Sequence, residues 1–261
     1  MNFLRISNMI KKIHYVWLGG KPLPASVKSC IKSWKKYMPD WEIIQWNESN
    51  FDVDRYRWVK EALEMKQYAF AADFIRLCVL EKWGGIYADT DVEVVKPIDA
   101  IINNSFVGAF DNHRHKTGEI QNVSEDGIDK RNGQKISWFC LQSGFFYSEP
   151  AHPFVKRMLE KYYNNGKRAF LNSDGTNNAF VIDQLMMWLL NSEFGAKFRD
   201  ETQLLCDDMM IYNGRVFATR KTKCSETYAI HWYDQSWKED KGFQKIKKTI
   251  KKYLFFLYRL Q

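Results

Sequence analysis

Two aspartates separated by one residue, Asp89 and Asp91, have the spacing needed for metal chemistry in this 261-residue sequence. In an extended segment such a pair points to one side and can offer hard oxygen ligands to Mg²⁺ or Mn²⁺. A second pair, Asp52 and Asp54, lies in a polar stretch before a predicted helix, where carboxylates commonly act as caps. Asp89 and Asp91 lie in a predicted strand, where acidic residues are disfavoured, so they are the better candidate site.

Two further charged residues, Asp73 and Arg76, are three positions apart in an otherwise almost wholly apolar helical segment. A helix that is apolar on nearly every face is buried, so both charges need partners. The spacing leaves two interpretations open. The residues form a local ion pair within the helix, or they project toward Asp89 and hold the hydroxyl groups of a ligand.

Strands and helices must alternate along the chain to position these residues. Runs of β-branched and aromatic residues predict strands over residues 12–18, 41–46, 86–95 and 138–147. Helical spacing predicts helices over residues 25–37, 153–163 and 178–190, and a longer two-piece helical region ending near Trp83, before Gly84-Gly85. The polar residues 112–137 predict a long loop. This alternation predicts an α/β fold with a largely parallel sheet.

Composition and charge exclude several other classes of protein. The chain is 45% apolar, which is enough for a substantial core, and it contains neither a run of eighteen apolar residues nor a signal-peptide pattern. We therefore expect a cytoplasmic protein. Residues 241–261 contain seven basic residues and no acidic one, so they account for all but one unit of the net charge of +8. With a nearly neutral body and no nucleic-acid-binding motif, we expect no nucleic-acid partner.

Four blocks of sequence together resemble a known family. They are residues 13–20, 69–76, 84–91 and 228–237. In this order they resemble family 32 glycosyltransferases with the sugar-binding DXD motif, of the bacterial capsular-polysaccharide type. They are more distantly similar to the yeast initiating mannosyltransferase and to the catalytic domains of clostridial glucosylating toxins. Ala72 departs from the pattern, because many relatives have Ser there.

The resemblance implies a fold and a reaction. Residues 1–240 would form a GT-A domain, a Rossmann-like, mostly parallel sheet with helices on both faces. The domain would transfer a hexose, with retention, from a UDP- or GDP-hexose donor. The acceptor would be a saccharide, lipid-linked in the synthesis of bacterial surface polysaccharide.

The resemblance also implies which residues bind the donor. Trp17 would stack on the nucleobase, with Val16 and either Asn47 or Asn50 nearby. Asp73 and Arg76 would hold hydroxyl groups of the donor sugar. The remaining residues of the implied donor site are Tyr87, Asp89, Ser236 and Trp237.

A metal site of Mn²⁺ or Mg²⁺ is implied as well. Asp91 would bind the cation, and His231 or Ser236 would complete its coordination, while Asp89 would contact the ribose or the sugar. Trp237 would close over the diphosphate together with His231 and Ser236. The implied catalytic residues are Asp73, Arg76, Asp89, Asp91 and Trp237.

Two alternatives belong to other functional classes. An apolar run before Asp89 and Asp91 also suits a haloacid-dehalogenase-like phosphotransferase with Asp89 as nucleophile, although Glu93 occupies a position that is usually Thr or Val in that class. A non-enzymatic membrane-surface protein would depend on residues 241–261 alone. Apolar residues recur there at helical spacing with lysines on other faces, a pattern that favours either an anionic membrane interface or packing on the body.

Overall fold

The computed structural model describes residues 9–111, 119–163 and 169–234. The helices in these residues are α1 (Ala25–Tyr37), α2 (Arg57–Glu64), α3 (Tyr68–Trp83), α4 (Pro153–Tyr163) and α5 (Ile182–Phe194). The first strands are β1 (Lys12–Val16), β2 (Glu42–Trp46), β3 (Gly85–Ala88), β4 (Val92–Val94), β5 (Phe106–Asp111) and β6 (Cys140–Leu141). The others are β7 (Phe145–Ser148), β8 (Gln203–Leu205), β9 (Met209–Tyr212), β10 (Phe217–Thr219) and β11 (Ala229–His231).

The larger sheet has the strand order β2-β1-β3-β7-β5-β9-β8, with β6 paired to β5. Strand β1 is parallel to β2 and β3, and β5 is parallel to β9. Strand β7 is antiparallel to both β3 and β5, so β5 and β9 run in the same direction as the first three strands. Five of the eight strands thus run in one direction, while β6, β7 and β8 run in the opposite direction, and the predicted α/β fold with a mostly parallel sheet is confirmed.

Helices cover both faces of this sheet, because successive side chains of a strand point to opposite faces. In β3, Tyr87 joins a buried hydrophobic cluster that includes residues of α2 to α5, such as Phe74. Its neighbours Ile86 and Ala88 join a second cluster, which contains Trp34 of α1. The two clusters are the two cores of an α/β layer structure.

The predicted strand over residues 86–95 is wrong as one element. Strand β3 ends at Ala88, and β4 belongs to a separate three-stranded sheet in the order β10-β11-β4. A continuous strand would place Asp89 and Asp91 on the face of Tyr87, among apolar side chains, at a large desolvation cost. The chain instead turns, and the N–H of Val92 donates to the carbonyl of Asp89 at 3.0 Å.

Most other predicted elements are confirmed. Helix α1 has the predicted bounds, and α3 ends at Trp83, immediately before Gly84 and Gly85, which both have a positive φ (61° and 99°). The last predicted helix is displaced, because α5 begins at Ile182. The predicted strand over residues 138–147 is interrupted at residues 142–144, and this interruption forms part of the site described below.

The buried side chain of His14 ties the ends of several elements together. The indole Nε1–H of Trp46, at the end of β2, donates to His14 Nδ1 at 3.0 Å, so the ring carries its proton on Nε2. Nε2 lies 2.9 Å from the carbonyl oxygen of Gly84, to which it donates. Burial lowers the pKa of His14 to about 4, so this ring is neutral.

Several expectations concern residues outside the described part of the chain. These residues are Ser236, Trp237, the basic segment 241–261 and residues 112–118, which are the first seven of the predicted polar loop. Among the described residues, no helix is both long enough and apolar enough to span a bilayer.

Candidate active site

A cavity of about 380 Å³ lies where β1 and β3 end, beside the first half of α3. These two strands are parallel, so their carboxyl ends reach the same edge of the sheet, where α/β folds generally bind ligands. Residues from three predicted blocks meet in this cavity. They are Val16 and Trp17 at the end of β1, Asp73 and Arg76 of α3, and Tyr87, Asp89 and Asp91 around the end of β3.

Arg76 is the buried centre of this cavity wall. Its Nη2 lies 2.6 Å from Asp73 Oδ1 and 3.4 Å from Asp89 Oδ1, and its Nη1 donates to the Ser143 carbonyl at 2.6 Å. The guanidinium lies over the ring of Tyr87, 4.4 Å from the ring centroid. Asp73 and Arg76 therefore form an intrahelical ion pair that also lines the cavity beside Asp89, and their contact with ligand hydroxyl groups stays a prediction.

The carboxylate of Asp73 is held in an environment that disfavours its charge. Burial raises the pKa of Asp73 to about 7, with added repulsion from Asp183 and Asp89, although the Arg76 charge opposes this rise. A structural role alone would not require such a costly group at the wall of a cavity. Perturbed carboxylates of this kind are concentrated at functional sites.

Three potential metal ligands converge at the same cavity. Asp89, Asp91 and His231 each offer one ligand atom, and these atoms all lie within 4.8 Å of one another. His231 ends strand β11, which pairs with β4 so that His231 lies opposite Val92. The second sheet thus brings a residue from the end of the described chain to the Asp89–Asp91 turn.

Asp89 is positioned by its neighbours on both sides. Its backbone N–H donates to the carbonyl of Gly144 at 2.7 Å, and its Oδ1 accepts the Tyr87 hydroxyl at 3.0 Å. Gly144 is required at its position, because a Cβ there would lie 2.8 Å from Asp89 Oδ2 and 2.9 Å from His231 Cε1. The break between β6 and β7 therefore lets the backbone approach two of the three ligand side chains.

Asp91 and His231 influence each other's charge. Burial opposes the ionisation of Asp91, but the charge and hydrogen bond of His231 stabilise the carboxylate. The backbone N–H of Asp234 also donates to Asp91 Oδ2 at 2.8 Å, so the pKa of Asp91 lies below its ordinary value. Burial likewise favours neutral His231, yet Asp91, whose Oδ1 lies 3.2 Å from Nε2, helps to raise its pKa to about 9. Without a bound cation, the structure thus stabilises an imidazolium–carboxylate pair.

These residues fit a divalent metal cation, because two carboxylates and an imidazole are common ligands of such ions. The charge of the site agrees, because four aspartates line the cavity against Arg76, His231 and the exposed Lys21. In addition, His231 Nδ1 is buried and has no hydrogen-bond partner among the described residues.

The opposite side of the cavity presents the indole of Trp17. Its Nε1–H donates to the Lys21 carbonyl at 2.6 Å, across the turn that contains Gly19 and Gly20. The ring of Tyr68 packs against this turn so closely that a Cβ at Gly19 would lie 2.8 Å from it. Trp17 is only partly buried and lines the cavity, so its ring is available for stacking.

The structure does not bring every predicted residue to the cavity. Asn47 and Asn50 lie in the turn after β2 and are hydrogen-bonded to each other, because the Asn47 N–H donates to Asn50 Oδ1 at 2.9 Å. Neither lines the cavity. Asp52 and Asp54 are exposed and apart from it, as expected for the second aspartate pair.

Several residues of the cavity have no strong sequence signal. Asp183, at the start of α5, accepts the Ser143 N–H at 2.8 Å, and Tyr233 stacks on His231. The only sequence signal for Gly144 is its place within a predicted strand, where glycine often marks a close backbone approach. Asp183 lies in a predicted helix and Tyr233 in the fourth resembling block of sequence, but only the tertiary fold shows that both line the cavity.

Comparison with known protein families gives one match, over the stretch of chain that contains four of the cavity's charged residues. The model of the glycosyltransferase sugar-binding region containing the DXD motif matches residues 24–107, which include Asp73, Arg76, Asp89 and Asp91. No curated protein matches the chain. The predicted enzyme class, a glycosyltransferase, is confirmed by the family match.

Solved structures with a similar arrangement include other glycosyltransferases. The PaToxG glycosyltransferase is 15% identical, with a TM-score of 0.44 over 71% of this chain and 70% of that one. The galactosyltransferase LgtC, in complex with donor and acceptor sugar analogues, is 12% identical, with a TM-score of 0.46 over 85% of this chain and 87% of that one. A glycosyltransferase involved in glycosylation of the major capsid of PBCV-1 is 11% identical, with a TM-score of 0.41 over 84% of this chain and 92% of that one. Because these scores are low, the class rests on the family match.

Proposed function

We propose that the protein is a divalent-cation-dependent glycosyltransferase of the GT-A type that uses a nucleotide-sugar donor. The observation that best supports this is the convergence of Asp89, Asp91 and His231 within 4.8 Å, at a cavity that Asp73 and Arg76 also line. A cation held by these three residues would neutralise the charge that develops on a departing nucleoside diphosphate.

The remaining side chains suit the other parts of such a donor. Trp17 offers a ring on which the nucleobase can stack. The expected nucleotide part of the donor is UDP or GDP. Asp73 accepts, and Arg76 donates, hydrogen bonds to sugar hydroxyls. The closing residues Ser236 and Trp237 are proposed to exclude water from the diphosphate.

The acceptor and stereochemistry follow from the family resemblance. We expect a retaining hexosyltransferase of family 32 that acts on a saccharide, lipid-linked in bacterial surface-polysaccharide synthesis. Half-buried Tyr68, Phe70 and Phe180 line the cavity and provide apolar faces against which a pyranose ring can pack. The basic residues 241–261 would hold a cytoplasmic, peripheral enzyme at an anionic membrane.

The phosphotransferase and the non-enzymatic membrane protein are less suitable alternatives. The match of residues 24–107 to a sugar-binding region containing the DXD motif favours sugar transfer over phosphoryl transfer. A membrane-surface role for residues 241–261 does not account for the buried charges of the cavity. A phosphotransferase would move the phosphoryl group of a phosphate ester to Asp89 with release of the alcohol, and water would then hydrolyse the aspartyl phosphate to free phosphate. Intact-mass analysis would detect the phosphorylated intermediate.

The test combines donor binding with one pair of variants. Thermal unfolding is measured with UDP- and GDP-hexoses, with and without Mn²⁺; a ligand at one hundred times its Kd stabilises the fold by about 2.7 kcal/mol. We expect stabilisation by one donor only when Mn²⁺ is present, and its loss in Asp91→Asn. Asp54→Asn is the matched control, because it changes an exposed carboxylate of the second aspartate pair. Equal donor stabilisation in wild type and Asp91→Asn would contradict the proposal.

A further inference from the structure

The ring of Tyr233 lies directly against the proposed metal-binding histidine. The ring centroids of Tyr233 and His231 are 3.8 Å apart, and the ring planes differ by 22°. Tyr233 also has a positive φ of 50°, which is uncommon for a bulky residue and costs backbone strain. The chain therefore turns sharply after β11, and this turn returns an aromatic ring to His231.

A metal-binding histidine usually needs a second contact to fix its ring. In most sites the second ring nitrogen donates to a carboxylate or a carbonyl, which sets the orientation of the imidazole. In this protein Nε2 faces Asp91, and Nδ1 has no hydrogen-bond partner among the described residues. The Gly144 backbone limits the edge of the ring at Cε1 and Nδ1, but it offers no hydrogen bond that sets the rotation.

The far end of Tyr233 is anchored in a different part of the fold. Its hydroxyl is hydrogen-bonded to the side chains of Asp111 and Gln142. Both are buried, Asp111 at the end of β5 and Gln142 just after β6. Tyr233 thus connects the segment after β11 to the larger sheet, and the ring between these two attachments cannot easily tilt.

We propose that Tyr233 is a positioning residue, whose ring, held through its hydroxyl by Asp111 and Gln142, sets the orientation of the His231 imidazole for cation binding. The proposal rests on the proposed function of the Asp89–Asp91–His231 cluster. It goes further by assigning the orienting role, usually filled by a hydrogen bond to the histidine, to an aromatic stack.

The experiment compares three variants by Mn²⁺ titration calorimetry without nucleotide and by NMR of the metal-free protein. Tyr233→Leu removes the stack, whereas Tyr233→Phe retains the ring and loses the bonds to Asp111 and Gln142. Tyr228→Leu is the matched control, since Tyr228 lies on the same segment but packs beneath Lys96. Loss of the orienting contact to a metal ligand typically weakens metal binding by about 10–100-fold. We expect this for Tyr233→Leu, a smaller loss for Tyr233→Phe and none for Tyr228→Leu.

The NMR measurement separates this proposal from the proposed function. In the wild type, the stacked ring should displace the His231 ring-proton resonances upfield, and Tyr233→Leu should remove this displacement while the His14 resonances remain unchanged. Wild-type Mn²⁺ affinity retained in a folded Tyr233→Leu variant would overturn the positioning role. Absence of the upfield displacement in the wild type would overturn it independently of metal. If the displacement is present but the wild type binds no Mn²⁺, the ring-orienting contact is upheld, while its use in cation binding and the cation-dependent function are both rejected.

Discussion

Replacement of Asp73 by asparagine should make the protein more stable and less active. Asp73 lies against Arg76 in a buried cavity wall, and burial is the main reason that its pKa rises from the ordinary 3.8 to about 7. The folded protein therefore binds a proton at Asp73 more tightly than the unfolded chain does. As the pH rises from about 4 to about 7, ionisation of this carboxyl destabilises the fold.

The magnitude follows from the displacement of the pKa. A difference of about three pKa units corresponds to a destabilisation of about 4 kcal/mol once both states are ionised. At about pH 5 only about 1.7 kcal/mol of this cost is present, and nearly all of it is present at about pH 8.5. Asparagine cannot ionise, and Arg76 retains its bonds to Ser143 and Asp89. We expect the stability of Asp73→Asn relative to wild type to increase by about 3 kcal/mol between these pH values.

Urea denaturation at the two pH values, for wild type, Asp73→Asn and Asp54→Asn, measures this difference. Asp54 is the control because it is exposed and pairs only at the surface, with Lys60 at 2.9 Å. Asp73→Asn should also lose most sugar transfer, as expected where a strained charge serves function at the expense of stability. A relative stability of Asp73→Asn that does not change with pH would refute the reasoning, because the buried carboxyl would then not be strained.

Three further predictions concern other parts of the molecule. Gly144→Ala should weaken Mn²⁺ binding at least tenfold in calorimetry, because its methyl group would lie 2.8 Å from Asp89 Oδ2; unchanged affinity would contradict the close approach. His14 should remain neutral in an NMR titration of the folded protein down to about pH 4, because burial lowers its pKa to about 4. Since the unfolded chain binds this proton already below about pH 6.5, lowering the pH from about 6.5 to about 4 should cost the fold up to about 3 kcal/mol; titration of the folded protein near the ordinary pKa would contradict this. Removal of residues 241–261 should reduce salt-sensitive binding to anionic liposomes and leave donor hydrolysis unchanged, since each basic residue near such a surface contributes about 1 kcal/mol. Unchanged liposome binding would contradict the membrane role and favour packing of this segment on the body of the protein.

Local features of the sequence were sufficient to predict the elements that carry most of the site. The apolar spacing of α1 and the glycine pair after α3 predict their own boundaries, because both signals act within a few residues. The same is true of the paired charges Asp73 and Arg76, whose types alone imply partners in a buried helix. The family resemblance added His231, which the structure then placed beside Asp91.

Tertiary structure decided the rest, because the contacts involved join residues far apart in the chain. The alternation of residues 86–95 predicted one strand, but the cost of burying Asp89 and Asp91 beneath α3 divided it between two sheets. Gly144 and Tyr233 belong to the site only because β7 and β11 bring them to the end of β3. No local sequence pattern predicts these long-range contacts, since they depend on how the strands pair and on which charges the folded core can tolerate.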